Sequence, residues 1–150
     1  MKKNRVVVSV IIALVAVTAL AAVIHLTTRV SVPEGVLLVE AAGQAKEVAW
    51  DKLELTAVQG TLVNGKGEER PIDAQGILLR DVLEDIGVSV ETEVTVIAQD
   101  EYSASVTAQE IETDGQVYLA ATEDGGIQMV VFGDSDSKRN VTGVARLVVS

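Results

Sequence analysis

The chain has 150 residues and a formal net charge of −10, with no cysteine and a single histidine. Without cysteine it has no disulfide, thiolate nucleophile or thiolate metal ligand. The one histidine, His25, lies in an apolar N-terminal run, so residues 32–150 contain neither Cys nor His. A Ser-His-Asp triad, a His-ligated zinc ion and a His-ligated haem are therefore excluded from that part of the chain.

The charge is divided unevenly along the chain. Residues 1–31 carry four basic and no acidic side chains, whereas residues 32–150 carry eight basic and 22 acidic ones, a net charge of −14. A surface this acidic repels phosphate backbones and anionic lipid headgroups, which argues against nucleic-acid binding. The simplest role of these charges is to keep a folded domain soluble.

The N-terminal segment is typical of a membrane anchor. A basic segment, residues 1–5, precedes an apolar run of 21 residues at 6–26, and roughly 20 residues are needed to cross the hydrocarbon core. Because the run is longer than most signal-peptide cores, we expect a single-pass anchor in the cell membrane, with cleavage near Ala21 and secretion as the alternative. The basic residues then stay in the cytoplasm. Residues 27–34 form a tether, and residues 35–150 form an extracytoplasmic domain.

The first half of this domain is predicted to consist of short strands and one helical turn. Trp50 and Leu53 are expected to point inward from the turn. Asn64-Gly65, extended by Lys66-Gly67, predicts a hairpin. Pro71 has no N–H to donate, which places its strand at a sheet edge or at the start of a strand. The four strands are expected at Gly35–Ala41, Ala45–Val48, Glu54–Val63 and Arg70–Ala74.

The most regular stretch of the domain is Gly76–Val88. Its apolar residues recur at the helical period and lie opposite a charged face that includes Asp81 and Asp85. We therefore predict one main helix at about residues 77–87. It is expected to open at Gly76 and to end with Gly87 in the left-handed conformation.

The second half is predicted to be mostly strands. Thr107 and Glu110 have the spacing of a capping box, which predicts a short helix that runs to Ile111. A polar loop is expected at Gly133–Asn140. The strands are expected at Thr92–Gln99, Ala104–Val106, Gln116–Thr122, Ile127–Phe132 and Val141–Val149. The domain is thus predicted to be α+β and mostly β, with a sheet packed against the main helix.

Four motifs follow one another in a distinctive order. A G-x-x-L-x-x-[VL]-L-x-x-x-G pattern at Gly76–Gly87 precedes Asp100-Glu101-Tyr102-Ser103, then Tyr118-Leu119-Ala120, then Lys138-Arg139 before a final Val-rich strand. In this order, over about residues 36–149, the chain resembles the oxidoreductase molybdopterin-binding domain family. It is similar to the short form found in small exported or membrane-tethered bacterial proteins. The resemblance implies the fold of the sulfite oxidase catalytic domain.

The resemblance also implies a molybdenum site, which this chain does not complete. Catalytic members bind molybdenum through a cysteine thiolate, but Val58 of Val58-Gln59-Gly60 stands at the matching position. Those members hold the pterin phosphate with His, Arg and Lys side chains, and here only Lys138 and Arg139 match. We therefore expect no bound molybdenum. Molybdopterin is a cofactor by family resemblance alone.

Two short segments supply the candidate binding residues. Asp100, Tyr102 and Ser103 would line a remnant of the pocket, since loops at strand ends commonly carry function; alternatively, Asp100 makes the turn and Tyr102 anchors it. Lys138 and Arg139 would bind an anion or a partner; alternatively, they lie in a solvated loop. Asp134 and Asp136 would complete a cation site with Asp100 only if the fold brought them together, and no metal site is predicted.

These observations lead to three functional hypotheses, of which the first two can be discriminated from the sequence. The first is a non-catalytic binding or interaction module, tethered to the membrane, whose cleft holds a small ligand or a protein partner. The second is a molybdopterin-dependent oxidoreductase or its accessory subunit. Val58 discriminates between them, because an isopropyl group cannot ligate a metal. A structural envelope protein without any ligand is a third hypothesis.

Overall fold

The structure is a computed structural model that describes residues 35–150. The predicted basic segment, anchor and tether, residues 1–34, lie outside the described residues. Within residues 35–150, no helix is both long enough and apolar enough to span a membrane.

The described residues form nine strands, two short helices and one 3₁₀ turn at Trp50–Lys52. The helices are α1 (Leu79–Asp85) and α2 (Ala108–Glu112). The strands, in chain order, are β1 (Val36–Ala41), β2 (Gln44–Ala49), β3 (Thr56–Val63), β4 (Glu69–Leu78), β5 (Glu93–Ala98), β6 (Ser103–Thr107), β7 (Val117–Ala121), β8 (Ile127–Val131) and β9 (Val144–Val149). The prediction of a mostly β domain with few helices is confirmed.

The strands form two sheets. The first has five strands in the order β2-β1-β9-β5-β6, in which only the β1–β9 pair is parallel. The second has four antiparallel strands in the order β3-β4-β7-β8. Since β4 pairs with β7 only at Gly76–Leu78, most of the long β3–β4 hairpin projects beyond the rest of the sheet.

One hydrophobic core is shared by both sheets and both helices. In β5 the buried residues alternate as Val94, Val96 and Ala98, and the residues between them are partly buried. Helix α2 contributes Ile111, and Trp50 is 6% exposed. The other central members of this core are Leu37, Val39, Leu79, Val82, Leu83, Leu119, Met129, Val131 and Leu147.

The second sheet also buries residues outside this shared core. Val58, Ala120 and Val130 are at most 2% exposed but do not belong to the main cluster. Beside them the ring of Phe132 lies over Gly60, where any Cβ would collide with it. Phe132 also meets Tyr118 edge to face, with the ring centroids 5.8 Å apart.

The main helix begins later than the sequence predicts. Strand β4 continues through Gly76, Ile77 and Leu78, which pair with β7, so α1 begins at Leu79 rather than near residue 77. Pairing with a distant strand supplies hydrogen bonds that the local pattern does not reveal. The predicted return strand Arg70–Ala74 is correspondingly too short. Pro71 pairs only with Thr61 of β3, so its other side has no strand neighbour within the described chain.

The end of the helix agrees with the prediction. Gly87 has φ +71°. Its N–H donates to the carbonyl of Glu84, and the N–H of Val88 donates to that of Leu83, which is the Schellman arrangement. Lys46 of β2 adds a hydrogen bond of 2.8 Å from Nζ to the carbonyl of Ile86.

The predicted β3–β4 hairpin is present: the N–H of Gly67 donates to the carbonyl of Asn64 at 2.9 Å, and Gly67 has φ +80°. One further boundary differs from the prediction. Strand β9 begins at Val144 rather than Val141. Val141 instead accepts a hydrogen bond from the N–H of Met129. The other predicted strands are found with their ends within two residues.

Candidate functional site

An open cleft of about 490 Å³ lies beside the start of α1. This volume is within the range of small-molecule sites, roughly 300–1,000 Å³. Four of its residues, Leu53, Ile77, Leu78 and Tyr118, provide an apolar or aromatic surface. The full lining is Lys52, Leu53, Glu54, Thr56, Ile77, Leu78, Asp81, Asp85 and Tyr118.

Three separate segments build the cleft. Buried Trp50 holds the 3₁₀ turn in place through its backbone N–H, which donates to the carbonyl of Gly35 at 3.0 Å. The turn places Lys52 and the residues after it in the wall of the cleft. The end of β4 supplies Ile77 and Leu78. Tyr118 of β7 is paired with Leu78 in the sheet. The cleft therefore exists only because the sheet and the turn bring distant residues together.

The charge of the cleft is negative. Glu54, Asp81 and Asp85 contribute three carboxylates, and Lys52 contributes one ammonium group. Asp81 has a weak contact of 3.7 Å with Arg80. Within residues 35–150, Lys52, Glu54 and Asp85 have no ion-pair partner. These three groups are thus available to a ligand, and the balance of charge favours a neutral or cationic ligand over an anionic one.

Arg80 is directed away from the cleft. Its guanidinium donates to the carboxylate of Asp114 at 2.8 Å and to the carbonyl of Glu112 at 3.1 Å. The hydrogen bond with Asp114 raises the pKa of Arg80 above its ordinary value. Arg80 therefore connects α1 to the segment that follows α2.

The predicted residues Asp100, Tyr102 and Ser103 lie elsewhere, at the turn between β5 and β6. The carboxylate of Asp100 accepts a hydrogen bond from the N–H of Tyr102 at 3.1 Å, which is the turn-making role that the sequence left open. Tyr102 is 50% exposed, and its hydroxyl donates to the carbonyl of Lys138 at 2.5 Å. Tyr102 thus attaches the turn to the 133–140 loop through its hydroxyl. Ser103 is the exposed first residue of β6.

The predicted residues Lys138 and Arg139 have different surroundings. Lys138 is exposed, with its ammonium 3.8 Å from the carboxylate of Asp136. Arg139 is partly buried, and its five N–H groups all donate: to both oxygens of Asp134, to both oxygens of Glu110, and to the carbonyl of Ser105. An anionic ligand would have to displace one of these carboxylates.

The Arg139 cluster shifts the pKa values of its members. The hydrogen bonds from Arg139 and from the N–H of Thr107 lower the pKa of Glu110 from 4.5 to about 2. The carboxylates of Asp134 and Glu110 in turn raise the pKa of Arg139. Glu110 is also the partner of Thr107 in the predicted capping box, which is present. The cluster therefore joins the 133–140 loop to β6 and to the start of α2.

The cation site considered from the sequence is not formed. Asp134 is bound to Arg139, Asp136 caps its own loop through the N–H of Lys138, and Asp100 caps the β5–β6 turn. Residues 35–150 contain no group of three or more His, Cys, Asp or Glu side chains arranged to hold a metal ion.

The residues at the positions matched to a molybdopterin site do not fit that cofactor. Val58 is 2% exposed, and a Cβ built on Gly76 would lie 2.9 Å from its Cγ2 atom. It is thus a hydrocarbon group closed within the sheet, with no donor atom for a metal. Arg139, the matched anion ligand, has all its donors engaged by carboxylates. Only Lys138 remains available to a phosphate.

No protein-family model matches the chain, and no curated protein matches it.

None of the five predicted site residues lines the cleft. Its residues gave only weak signals in the sequence. Asp81 and Asp85 are four apart on the polar face of the predicted helix, a pattern equally typical of a solvated surface. Lys52–Thr56 is a short irregular connection, and such segments often carry function. Nothing local connects either segment with Tyr118.

Proposed function

We propose that this chain is a non-catalytic binding module whose cleft holds a small ligand, neutral or cationic and with an apolar body. The observation that carries the proposal is the composition of the cleft, an apolar surface beside three carboxylates and one ammonium group. Small-molecule sites commonly combine an apolar wall with a few polar groups that orient the ligand.

We further propose a sulfite-oxidase-like fold and tethering outside the cytoplasmic membrane. The order of the four sequence motifs supports the first proposal, and a mostly β domain with one main helix is compatible with it. The apolar run at 6–26 and the basic residues before it support the second.

The alternative of a molybdopterin-dependent oxidoreductase or its accessory subunit is less well supported. Residues 32–150 provide no Cys or His, and the matched position is a buried valine. Metal and pterin present in stoichiometric amounts in the purified protein would contradict the proposed binding module. A colourless sample that contains neither would agree with it.

The binding proposal is tested with three fragments that share one ring: benzylamine, benzyl alcohol and benzoate. We expect saturation-transfer NMR on the full chain in nanodiscs of zwitterionic lipid to detect the amine and the alcohol more strongly than the acid. Thr56→Phe places a ring in the cleft and should abolish both signals. Thr92→Phe, at an exposed residue outside the cleft, should preserve them. Absence of binding by all three fragments, or binding unaffected by Thr56→Phe, would contradict the proposal.

The location is tested separately with a phosphatase that is active only outside the cytoplasm, fused after Ser150. We expect an active, membrane-bound fusion. The intact mass of the native chain then distinguishes an uncleaved anchor from cleavage near Ala21. An inactive fusion would contradict the proposed orientation.

A further inference from the structure

Each of the two sheets ends in two edge strands, and three of these four edges are protected. An unprotected edge offers unpaired N–H and C=O groups to any other strand. Strand β2 carries the charged residues Lys46 and Glu47. Strand β6 is covered where Arg139 donates to the carbonyl of Ser105 at 3.3 Å. Strand β8 is covered by the next segment of the chain, since the N–H of Met129 donates to the carbonyl of Val141 at 2.8 Å.

The fourth edge, β3, has none of these protections. Thr56–Val63 contains no charged residue, and five of its eight residues are exposed. It pairs with β4 alone, and its outward backbone groups have no hydrogen-bond partner within residues 35–150. β3 is therefore a neutral edge strand available for pairing on an otherwise acidic domain.

We propose that β3 pairs with β3 of a second copy of this chain, in the antiparallel direction. Two domains of net charge −14 repel one another wherever acidic surfaces meet, and a neutral strand lets their backbones approach. The strand is also flanked by opposite charges, Glu54 before it and Lys66 after it. Neither has an ion-pair partner within residues 35–150.

The flanking charges select the direction, and the backbone hydrogen bonds of β3 select the register. Antiparallel pairing brings the Glu54 end of each copy beside the Lys66 end of the other, which forms two equivalent contacts about a two-fold axis. The N–H of Asn64 donates to the carbonyl of Glu68, so every second residue back from 64 faces β4, and residues 57, 59, 61 and 63 present their backbone groups outward. Full pairing of these four residues in both copies places the axis at Gly60. Gln59 of one copy then lies opposite Thr61 of the other. Parallel pairing would place like charges together.

The absence of cysteine makes this pairing directly testable. Two differently tagged full-length chains, Gln59→Cys and Thr61→Cys, are expressed together and oxidised in the membrane. Opposite Cα atoms in an antiparallel pair are about 4.5–5.5 Å apart, which is within disulfide range. We expect a disulfide-linked heterodimer. The matched pair Ala45→Cys and Glu47→Cys, on the charged edge β2, should remain monomeric. No heterodimer, equal yields at both edges, or an adduct with a different protein would overturn the proposal.

Charge reversal tests the direction of pairing without changing β3 itself. Introduced separately into both cysteine chains, Glu54→Lys or Lys66→Glu should lower the disulfide yield about three- to tenfold, since each change turns two attractions into repulsions. The two reversals together should restore the yield. Equal thermal unfolding of all variants confirms that they fold alike. Failure of the double reversal to restore the yield would overturn the antiparallel arrangement.

Discussion

Gly76 is the residue at which β4 comes too close to β7 for any side chain. A Cβ there would lie 2.6 Å from the carbonyl oxygen of Leu119 and 2.9 Å from Cγ2 of Val58. The first contact is with backbone, which cannot move without disturbing the Gly76–Ala120 pairing. Gly76 thus allows the β3–β4 hairpin to pair with the β7–β8 hairpin in the second sheet. It does not open the helix.

The substitution Gly76→Ala should consequently destabilise the protein, by about 1–3 kcal/mol, because overpacking displaces neighbouring atoms. Urea unfolding followed by circular dichroism measures the change. Gly65→Ala is the control, since nothing lies within 4 Å of a Cβ at Gly65 and its φ is not positive. It should change stability by less than about 0.5 kcal/mol. Equal stability of the two variants would contradict this account.

At the scale of elements, Arg139 connects parts of the chain that have no sheet pairing with one another. It joins the 133–140 loop through Asp134, the start of α2 through Glu110, and β6 through the carbonyl of Ser105. Tyr102 adds a second link from the β5–β6 turn to the same loop. The loop that the sequence offered as a ligand site is therefore held in place by its own charged residues.

The contribution of the Glu110–Arg139 contact should appear in the pH dependence of stability. Because the pKa of Glu110 is lowered to about 2 in the folded protein, its ionised form stabilises the fold fully above about pH 4.5. That contribution is lost as the pH falls through about 2. Glu110→Gln removes this ionised group and should lower the free energy of unfolding at pH 7 by about 1–3 kcal/mol. This is the range for hydrogen bonds to charged groups and for buried donors left without an acceptor.

Urea unfolding of Glu110→Gln and of the native chain between pH 7 and pH 2 measures this difference. It should be largest at pH 7 and should decrease as the acid end is approached. Glu112→Gln, an exposed residue of the same helix, should match the native chain throughout. A difference between Glu110→Gln and the native chain that does not vary with pH would show that the charge of Glu110 is not responsible.

At the scale of the whole molecule, the dominant electrostatic feature is the imbalance of charge. The 119 residues from 32 to 150 carry 22 acidic and eight basic side chains, and Arg80, Arg139 and Arg146 are each within 3.5 Å of a carboxylate. Within residues 35–150, most acidic side chains are therefore left without a cationic partner. Their mutual repulsion opposes the compact state, and salt screens it.

We therefore expect the melting temperature to rise as sodium chloride is increased from about 20 mM to about 500 mM. The rise should be about 2–4 °C, which corresponds to roughly 0.5–1 kcal/mol in a domain of this size. Differential scanning calorimetry measures it. A variant with Glu47→Gln, Glu69→Gln and Glu91→Gln, all exposed, should melt higher at low salt and respond less to salt. Equal responses of the two proteins would contradict the argument.

The sequence by itself determined the features that depend on near neighbours. The Asn64-Gly65 and Lys66-Gly67 pairs predicted the β3–β4 hairpin, the Thr107–Glu110 spacing predicted the capping box, and Gly87 predicted the end of the helix. The absence of Cys and His from residues 32–150 restricted the available chemistry without any structure. These signals are local, because strand alternation, helix caps and turns depend on residues only a few positions apart.

Only the tertiary structure decided the features that join distant segments. Gly76–Leu78 became strand because β7 pairs with them, although the same residues fit a helical pattern. The cleft combines the 3₁₀ turn, the end of β4 and Tyr118, which no sequence spacing connects. Arg139 is bound by Glu110, 29 residues away. The packing of the whole domain determines which distant residues meet. Each such contact must leave the interior closely packed and its buried polar groups hydrogen-bonded.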